Sequence, residues 1–389
     1  MRIDKINLKD FRNYAEMSIT PHKGVNLIFG PNGSGKTNLL EAVHYCALGK
    51  SHRTNADRDV VRAGTPMGFA GVSLQKKNNH TDIALRLTPG ETRKKQVFVD
   101  RKKTARLVDL MGHLQCVIFS PEDLMLIKEG PSLRRKFLDM MLSQLSPGYF
   151  ISLQQYQKAL EQRNALLRER KRGGYIDDDM LQTFELAMAA PCATMIEARR
   201  KAVDQLNQYA NRKYRGISGR CEEDLTVTYL CCAGEETVDA DYVLDRLKKA
   251  RQEDMLRGVT SFGIHREDLS LKMAGREMKV YASQGQIRTA ALSLKLAQLH
   301  MFRQETGESP VLLLDDVMSE LDMTRRVHLL EETEDVQTFI TCTDETDING
   351  IEQMQIYHVC MDEAGMANIS CVQQGRQEEA AVFEEPDFS

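Results

Sequence analysis

The chain has 389 residues, 42% of them apolar, and a formal net charge of −4. That length predicts one large or two medium domains with a packed core, and no apolar run approaches the roughly 20 residues that a bilayer-crossing helix needs. Nine cysteines without a Cys-x-x-Cys pair argue against a disulfide frame or a zinc site and for reduced thiols in a cytoplasmic protein.

The first residues alternate like a strand, unlike a signal peptide. Residues 24–29, Gly-Val-Asn-Leu-Ile-Phe, read as a buried strand, and residues 38–43 open a helix with apolar positions at helical spacing. Between them Gly30-Pro31-Asn32-Gly33-Ser34-Gly35-Lys36-Thr37 fits the phosphate-loop pattern G-x-x-x-x-G-K-[ST] in full. The glycines let backbone N–H groups turn onto oxygens, and the helix that follows adds positive potential at its N-terminus, so the segment suits a polyphosphate. Lys36 is expected to reach the β- and γ-phosphates, and the Thr37 hydroxyl to bind Mg²⁺.

Further strands are predicted at residues 82–87, 96–100 and 115–119, the last ended by Ser120-Pro121. The middle of the chain reads as mostly helical. One long helix runs over residues 149–170 and is interrupted at Gly173-Gly174, and another covers residues 178–208. Neither carries a sustained heptad array, so no long coiled coil is predicted. The adjacent pair Cys231-Cys232 reads as structural.

Two later segments carry chemistry. Ser283-Gln284-Gly285-Gln286-Ile287-Arg288 stands directly before a clear helix at residues 289–297 and offers a second anion-binding element. Val311-Leu312-Leu313-Leu314-Asp315-Asp316 reads as a buried strand that delivers carboxylates to the ligand crevice. In a phosphate-loop enzyme Asp315 is placed to hold Mg²⁺ and Asp316 to polarise the attacking water. Residues 339–343 read as a next strand. From Gln377 onward the chain has five acidic residues and no basic one, which predicts a disordered tail. Basic clusters lie elsewhere, at Lys94-Lys95, at Arg101-Lys102-Lys103 with Arg106, at Arg134-Arg135-Lys136, between Arg168 and Arg172, at Arg199-Arg200-Lys201, and at Arg212-Lys213 with Arg215. They are either solvated faces or contacts to nucleic-acid phosphates.

The order of phosphate loop, Ser-x-Gly-Gln helix start and acidic strand resembles ABC-type ATPases, in which the signature of one subunit closes on ATP held by another. Ser319-Glu320-Leu321-Asp322 then stands where that superfamily has its D-loop. The strand at residues 339–343 stands where ABC-type ATPases carry the switch position, here without the His of transporter-type members. The opening Ile6-Asn7-Leu8-Lys9-Asp10-Phe11-Arg12-Asn13-Tyr14 resembles the start of SMC-like heads. Together with Gly49-Lys50-Ser51-His52-Arg53-Thr54, residues 119–124, Arg134-Arg135 before Phe137-Leu138-Asp139, and Gly263-Ile264-His265-Arg266-Glu267-Asp268, it resembles the RecF family over about residues 1 to 345. Ile264, Glu267 and Ile287 depart from that family's usual residues, and no clear Gln-loop is present, although Ser120-Pro121-Glu122 stands at its place.

The resemblance implies an α/β fold, with a P-loop, SMC-head-like ATPase lobe and a second, largely helical lobe that bears the signature. The expected division is an ATP-binding lobe from residues 1–118 and 305–375, a helical lobe from 119–304, and a tail from 376–389. It implies ATP and Mg²⁺ as cofactors. Gly30, Pro31, Asn32, Gly33, Ser34, Gly35, Lys36, Thr37 and Asn38, with Ser283, Gly285 and Gln286 from a partner subunit, would bind the nucleotide. Thr37 and Asp315 would hold the metal, and Asp316, Lys36 and Ser283 would be catalytic. It further implies an ATP-dependent homodimer on double-stranded DNA and at single-strand/double-strand gap junctions, slow hydrolysis, and help to RecO and RecR in loading recombinase onto single strands, with no membrane partner. Three other readings are a transporter-type ATPase, which would depend on membrane subunits, a small-molecule kinase, which would release a phosphorylated product, and an ATP-switched DNA-binding module with negligible turnover.

Overall fold

The computed structural model describes all residues except 55, 78, 91–94, 176, 220–222, 333, 344–353, 374–375 and 380–389. The chain forms two compact units, Met1–Leu124 with Ala291–Ser389, and Met125–Ala290.

The first unit starts with the hairpin β1 (Arg2–Phe11) and β2 (Tyr14–Ile19), whose two-residue turn places Arg12 in the left-handed region at φ 53°. Strand β3 (Val25–Phe29) leads through the glycine-rich loop into helix α1 (Lys36–Leu48), followed by β4 (Gly68–Gln75), β5 (His80–Leu87), β6 (Lys95–Val99), β7 (Lys102–Lys103) and β8 (Cys116–Phe119). Strands β2-β1-β4-β5-β6-β7 form one antiparallel sheet in that order.

The second unit contains α2 (Met125–Lys128), α3 (Pro131–Leu145), α4 (Pro147–Lys171), α5 (Asp178–Ser218), β9 (Leu225–Leu230), α6 (Ala240–Arg257), β10 (Asp268–Met273), β11 (Arg276–Glu277) and α7 (Met278–Tyr281). Proline at the first position of α3 and α4 fixes a helical φ where no N–H is needed. Leu167 of α4 and Leu181 of α5 meet in an apolar cluster with Leu166 and Met255 packed against it. The middle of the chain is therefore not helical throughout, because β11-β10-β9 form a three-stranded antiparallel sheet. Helix α8 (Gln284–Thr306) begins in this unit and ends in the first.

The chain then completes the first unit with β12 (Val311–Asp315), α9 (Met323–Glu331), β13 (Thr338–Cys342), β14 (Met354–Met361), β15 (Ala367–Gln373) and β16 (Arg376–Glu379). These join β3 and β8 in a seven-stranded sheet of order β16-β15-β14-β3-β13-β12-β8. Its β14-β3-β13-β12-β8 core is parallel. Strands β8, β12 and β13 are buried at every residue, as strands covered on both faces must be.

The boundaries between the units fall after Leu124 and Ala290, where the sequence reading has 118 and 304, because hydrophobic periodicity does not change where α8 passes from one core to the other. The expected disorder from residue 376 does not hold for the first four residues of that segment. Arg376–Glu379 pair with β15 as a strand, and the rest of that tail lies outside the described residues.

Candidate functional site

The loop after β3 is shaped by glycines that no other residue replaces. Gly30 has φ 153° and Gly35 φ 118°. A Cβ on Gly30 would stand 2.0 Å from the Val359 carbonyl oxygen, and one on Gly35 would stand 2.8 Å from the Asn13 side chain. Gly33 also has positive φ, 81°, but open space around it. The loop is held from outside by β1 and β2, where Asn13 Nδ2 donates to the Ser34 carbonyl at 3.1 Å and the Tyr14 hydroxyl donates to the Gly35 carbonyl at 3.1 Å.

Helix α1 has no side-chain cap and no acidic residue in its first turn. Its free N–H groups and dipole therefore face the loop uncompensated. The Ser34 hydroxyl oxygen is buried and has no hydrogen-bond partner. Lys36 is buried and donates to the carbonyls of Gly30 at 2.7 Å and Pro31 at 2.9 Å. Burial lowers its pKa, against the opposing pull of Asp316, Cys342 and Asp315. An orphaned hydroxyl, an uncapped helix start and a cation held on its own loop are the features a polyphosphate would satisfy.

The parallel sheet brings a second group of residues to this loop. Strand β13 lies between β3 and β12, so the C-terminal ends of all three stand side by side. Asp315 Oδ1 accepts a hydrogen bond from Thr37 Oγ1 at 2.8 Å and another from Thr341 Oγ1 at 2.8 Å. Burial raises the Asp315 pKa, and the two hydroxyls act in the other direction. The next residue, Asp316, takes the left-handed region at φ 53°, and its N–H donates to Thr341 Oγ1 at 2.9 Å. The oxygens of Thr37 and Asp315 form a hard donor pair that fits Mg²⁺ and leaves other positions to water or phosphate.

Behind the loop, Glu41 is fully buried and takes Arg12 in a bidentate pair at 2.9 and 2.6 Å. It also accepts from the Ser51 hydroxyl and, at 3.5 Å, from Arg53. Arg53 in turn reaches Asn38 at 3.0 Å, and Asn38 reaches Asn13 at 2.8 Å. The sequence reading gave Asn38 a place at the nucleotide, named Arg12 and Arg53 only within family motifs and Thr341 only within the strand and switch segment, and did not join them or Glu41 to this assembly. A threonine at the end of an apolar strand, next to one that ends in Asp-Asp, is the signal that could have found Thr341.

Ser283, Gly285 and Gln286 stand in the second unit, at the start of α8. The Ser283 N–H donates to Gln286 Oε1 at 2.8 Å and the Gln286 N–H to Ser283 Oγ at 3.3 Å, a reciprocal cap at an exposed helix start. Gln286 Nε2 reaches Glu223 at 3.2 Å.

Two basic clusters are partly internal, with Lys136 and Lys201 their exposed members. Arg134 pairs with Asp268 at 2.7 Å, Arg135 donates to the Glu267 carbonyl, and Arg199 is buried between Asp139 and Glu267. Arg134 and Arg199 are buried and committed to carboxylates and carbonyls within the unit, which withholds them from phosphate, whereas Arg135 is half-buried. Arg101, Lys102, Lys103 and Arg106 are exposed, as are Arg168, Arg170, Lys171 and Arg172. Lys94 lies outside the described residues.

Residues 2–368 match the model of the RecF/RecN/SMC N-terminal domain. A curated relative from Clostridium beijerinckii, "DNA replication and repair protein RecF", is 38% identical over 362 residues, which cover 92% of this chain and 97% of the relative. One of the same name from Acetivibrio thermocellus is 41% identical over 351 residues, 88% of this chain and 94% of the relative. The chain belongs to the RecF family. A solved structure of the recombination mediator RecF with an ATP analogue, in the RecFOR pathway, superposes with a TM-score of 0.85 at 35% identity, over 95% of this chain and 98% of that one. An SMC head bound to the C-terminal winged-helix domain of ScpA shares the fold, at TM-score 0.55 and 15% identity. The expected RecF-like α/β head with a second, signature-bearing unit is thus the fold observed. No helix among the described residues is long and apolar enough to cross a membrane.

Proposed function

We propose that this RecF-family chain is an ATP-dependent DNA-binding protein of recombinational repair and replication, and a weak ATPase. The observation that carries the reading is the convergence of Thr37 and Thr341 on Asp315 beside the buried Lys36. Similar solved structures are of RecF with ATP or an ATP analogue, which supports the same ligand here.

In this reading the residues of the loop from Gly30 to Asn38 wrap the phosphates with backbone N–H groups. Lys36 leaves its two loop carbonyls for the β- and γ-phosphates, and Thr37 and Asp315 hold Mg²⁺. When bound, the ion would neutralise phosphate charge. Asp316 orients and deprotonates the attacking water, with its backbone fixed by the bond to Thr341. Hydrolysis asks mostly for positioning and charge neutralisation, which these groups supply. Ser283, Gly285 and Gln286 of a second copy would cover the far side of the γ-phosphate. ATP would then add affinity only to the closed dimer, and hydrolysis would release it. The dimer would hold duplex DNA and gap junctions through phosphate contacts and assist RecO and RecR in loading recombinase.

A second reading, an ATP-switched module with negligible turnover, is favoured by the aspartate at position 316, whose short carboxylate reaches less far toward a water. Steady-state ATP turnover with and without duplex DNA, alongside sedimentation with ATP, separates the two. DNA-stimulated turnover with ATP-dependent dimers supports the first. Dimers and DNA retention without turnover support the second, and neither dimers nor DNA binding would overturn both. Salt titration of the DNA complex should give a steep loss of affinity with little dependence on base sequence.

A further inference from the structure

The second unit holds a sulfur cluster that nucleotide chemistry does not use. Strands β9 and β10 run antiparallel with Leu230 opposite Asp268, and this register sets Cys231 and Cys232, which follow β9, against Glu267, which precedes β10. The two Sγ atoms and a Glu267 carboxylate oxygen lie within 4.8 Å of one another.

The surroundings favour a thiolate over a metal. Glu267 Oε2 already accepts from Arg199 at 2.9 Å and from the Tyr229 hydroxyl, and Oε1 accepts from the Cys232 N–H at 3.2 Å. Arg200 Nη2 stands 3.7 Å from Cys231 Sγ, and the Ala233 N–H donates to the same sulfur at 3.4 Å. One guanidinium, that of Arg200, stands beside the pair, opposes a further cation and stabilises an anionic Cys231 sulfur, while Arg199 is held on Glu267. Cys231 is half-buried, whereas Cys46, Cys116 and Cys192 are fully buried.

We propose that Cys231 is a peroxide-reactive thiol and that Cys232 is its resolving partner. In the first step the Cys231 thiolate attacks one oxygen of a hydroperoxide. An S–O bond forms and the O–O bond breaks. The sulfur gives up two electrons to the peroxide, which leaves as hydroxide or alkoxide. In the second step Cys232 sulfur attacks the Cys231 sulfenic acid, an S–S bond forms, and the hydroxyl departs as water with the Cys232 proton. The Cα atoms of adjacent residues are about 3.8 Å apart, below the roughly 4.4–6.8 Å that relaxed disulfides span. The product is therefore strained and readily reduced, as a reversible modification requires.

The titration supports the same order of events. Cys231 is brought down to about 7, chiefly by the Cys232 thiol and then by the Ala233 N–H and Arg200, against burial and Glu267. Cys232 is pushed up by the same pairing and by burial. Burial pushes Cys116 and Cys192 up to about 12. The groups facing the pair are Arg200 and Cys192 of α5, Tyr156 of α4, Tyr242 of α6, Tyr229 of β9 and Glu267, with Arg199 of α5 on the carboxylate of Glu267.

The test uses the full-length chain with hydrogen peroxide and dimedone, read by peptide mass spectrometry. In the unsubstituted protein the peptide with both cysteines should lose the mass of two hydrogens and regain it with dithiothreitol. Cys232→Ser should trap a dimedone adduct on Cys231, and Cys231→Ser should yield neither product. Alkylation of Cys231 by iodoacetamide should rise with pH and level off above an inflection near 7. An adduct on Cys232 in place of Cys231, or both thiols intact while added glutathione is consumed, would overturn the proposal. So would an alkylation profile that inflects near the ordinary thiol value.

Discussion

Thr341 gives its hydroxyl hydrogen to Asp315 Oδ1 at 2.8 Å, and its oxygen receives the N–H of the very next residue, Asp316, at 2.9 Å. One buried side chain thus sets the position of both carboxylates. Thr341→Val keeps the shape and removes both bonds. A hydrogen bond to a charged buried group contributes about 1.5–3 kcal/mol, so ATP turnover should fall by about tenfold or more. A melting curve run beside the assay should show a folded protein. Turnover equal to the parent chain would mean that the carboxylates need no such anchor.

The two carboxylates should separate by substitution. Asp316→Asn should bind ATP, dimerise and remain on DNA longer, with turnover reduced by about 10²-fold or more, as loss of a general base does. Asp315→Asn should instead weaken Mg²⁺-dependent ATP binding. Normal turnover in Asp316→Asn would show that the assignment of the pair is wrong.

Lys36 is buried and donates to two carbonyls of its own loop, the bonds it would exchange for phosphate. Lys36→Ala should melt close to the parent protein and lose the rise in melting temperature that ATP gives. Sedimentation with ATP should find monomers. Unchanged ATP-dependent dimers would contradict the role given to this residue.

Sharing of each nucleotide site between two copies predicts a rescue. Two Lys36→Ala chains, or two Ser283→Arg chains, can offer no intact site between them. In a mixed dimer both lesions fall on one site, and the other is intact, so random mixing restores about a quarter of the sites if they act independently. An arrangement in which each chain completes its own site gives no rescue. Dimer formation is followed alongside turnover, and mixed dimers that form but hydrolyse nothing would reject shared, independent sites.

His265 predicts a pH dependence of stability. Tyr156 hydroxyl and His265 Nδ1 are 2.7 Å apart, and Nε2 is 2.9 Å from the Thr260 carbonyl. Burial, reinforced by Arg266 and Arg135 and opposed by the Thr260 carbonyl and Asp254, brings the imidazole down from 6.5 to about 4. Between those values the unfolded chain carries the extra proton, so stability falls as pH drops from about 6.5 toward 4. From pH 7 to pH 5 this group accounts for a loss of about 2 kcal/mol. His265→Asn should flatten that part of the urea-denaturation profile relative to the parent chain, and identical slopes would show that the imidazole is not held neutral.

The phosphate loop, the acidic strand and the helix start at Ser283 were all legible, because each imposes a local pattern of glycine, lysine or carboxylate at fixed spacing. The RecF-like fold was legible through their order. What joins them was not. Thr341 meets Asp315 only because β13 pairs with β12, and sequence alone does not give strand order. The buried guanidiniums were unreadable for the same reason. Arg134 and Arg199 look like Arg101 or Arg168 until Asp268, Asp139 and Glu267 are brought to them by β10 and by α3 packing against α5. The short sheet of β9, β10 and β11 was hidden among long helices with stronger periodicity.

Strand β3, which carries the phosphate loop, has β13 on one edge and β14 on the other. Both neighbours come from residues after 337. A ribosome that has made the first hundred residues has produced the whole glycine-rich loop but none of the strands that hydrogen-bond to β3. At roughly 5–20 residues per second the loop strand waits on the order of 15 to 60 seconds for its partners. During that interval an apolar segment, Val-Asn-Leu-Ile-Phe, has both backbone edges open. A chain that stops short of β13 would therefore contain every residue of the loop and still lack a nucleotide site.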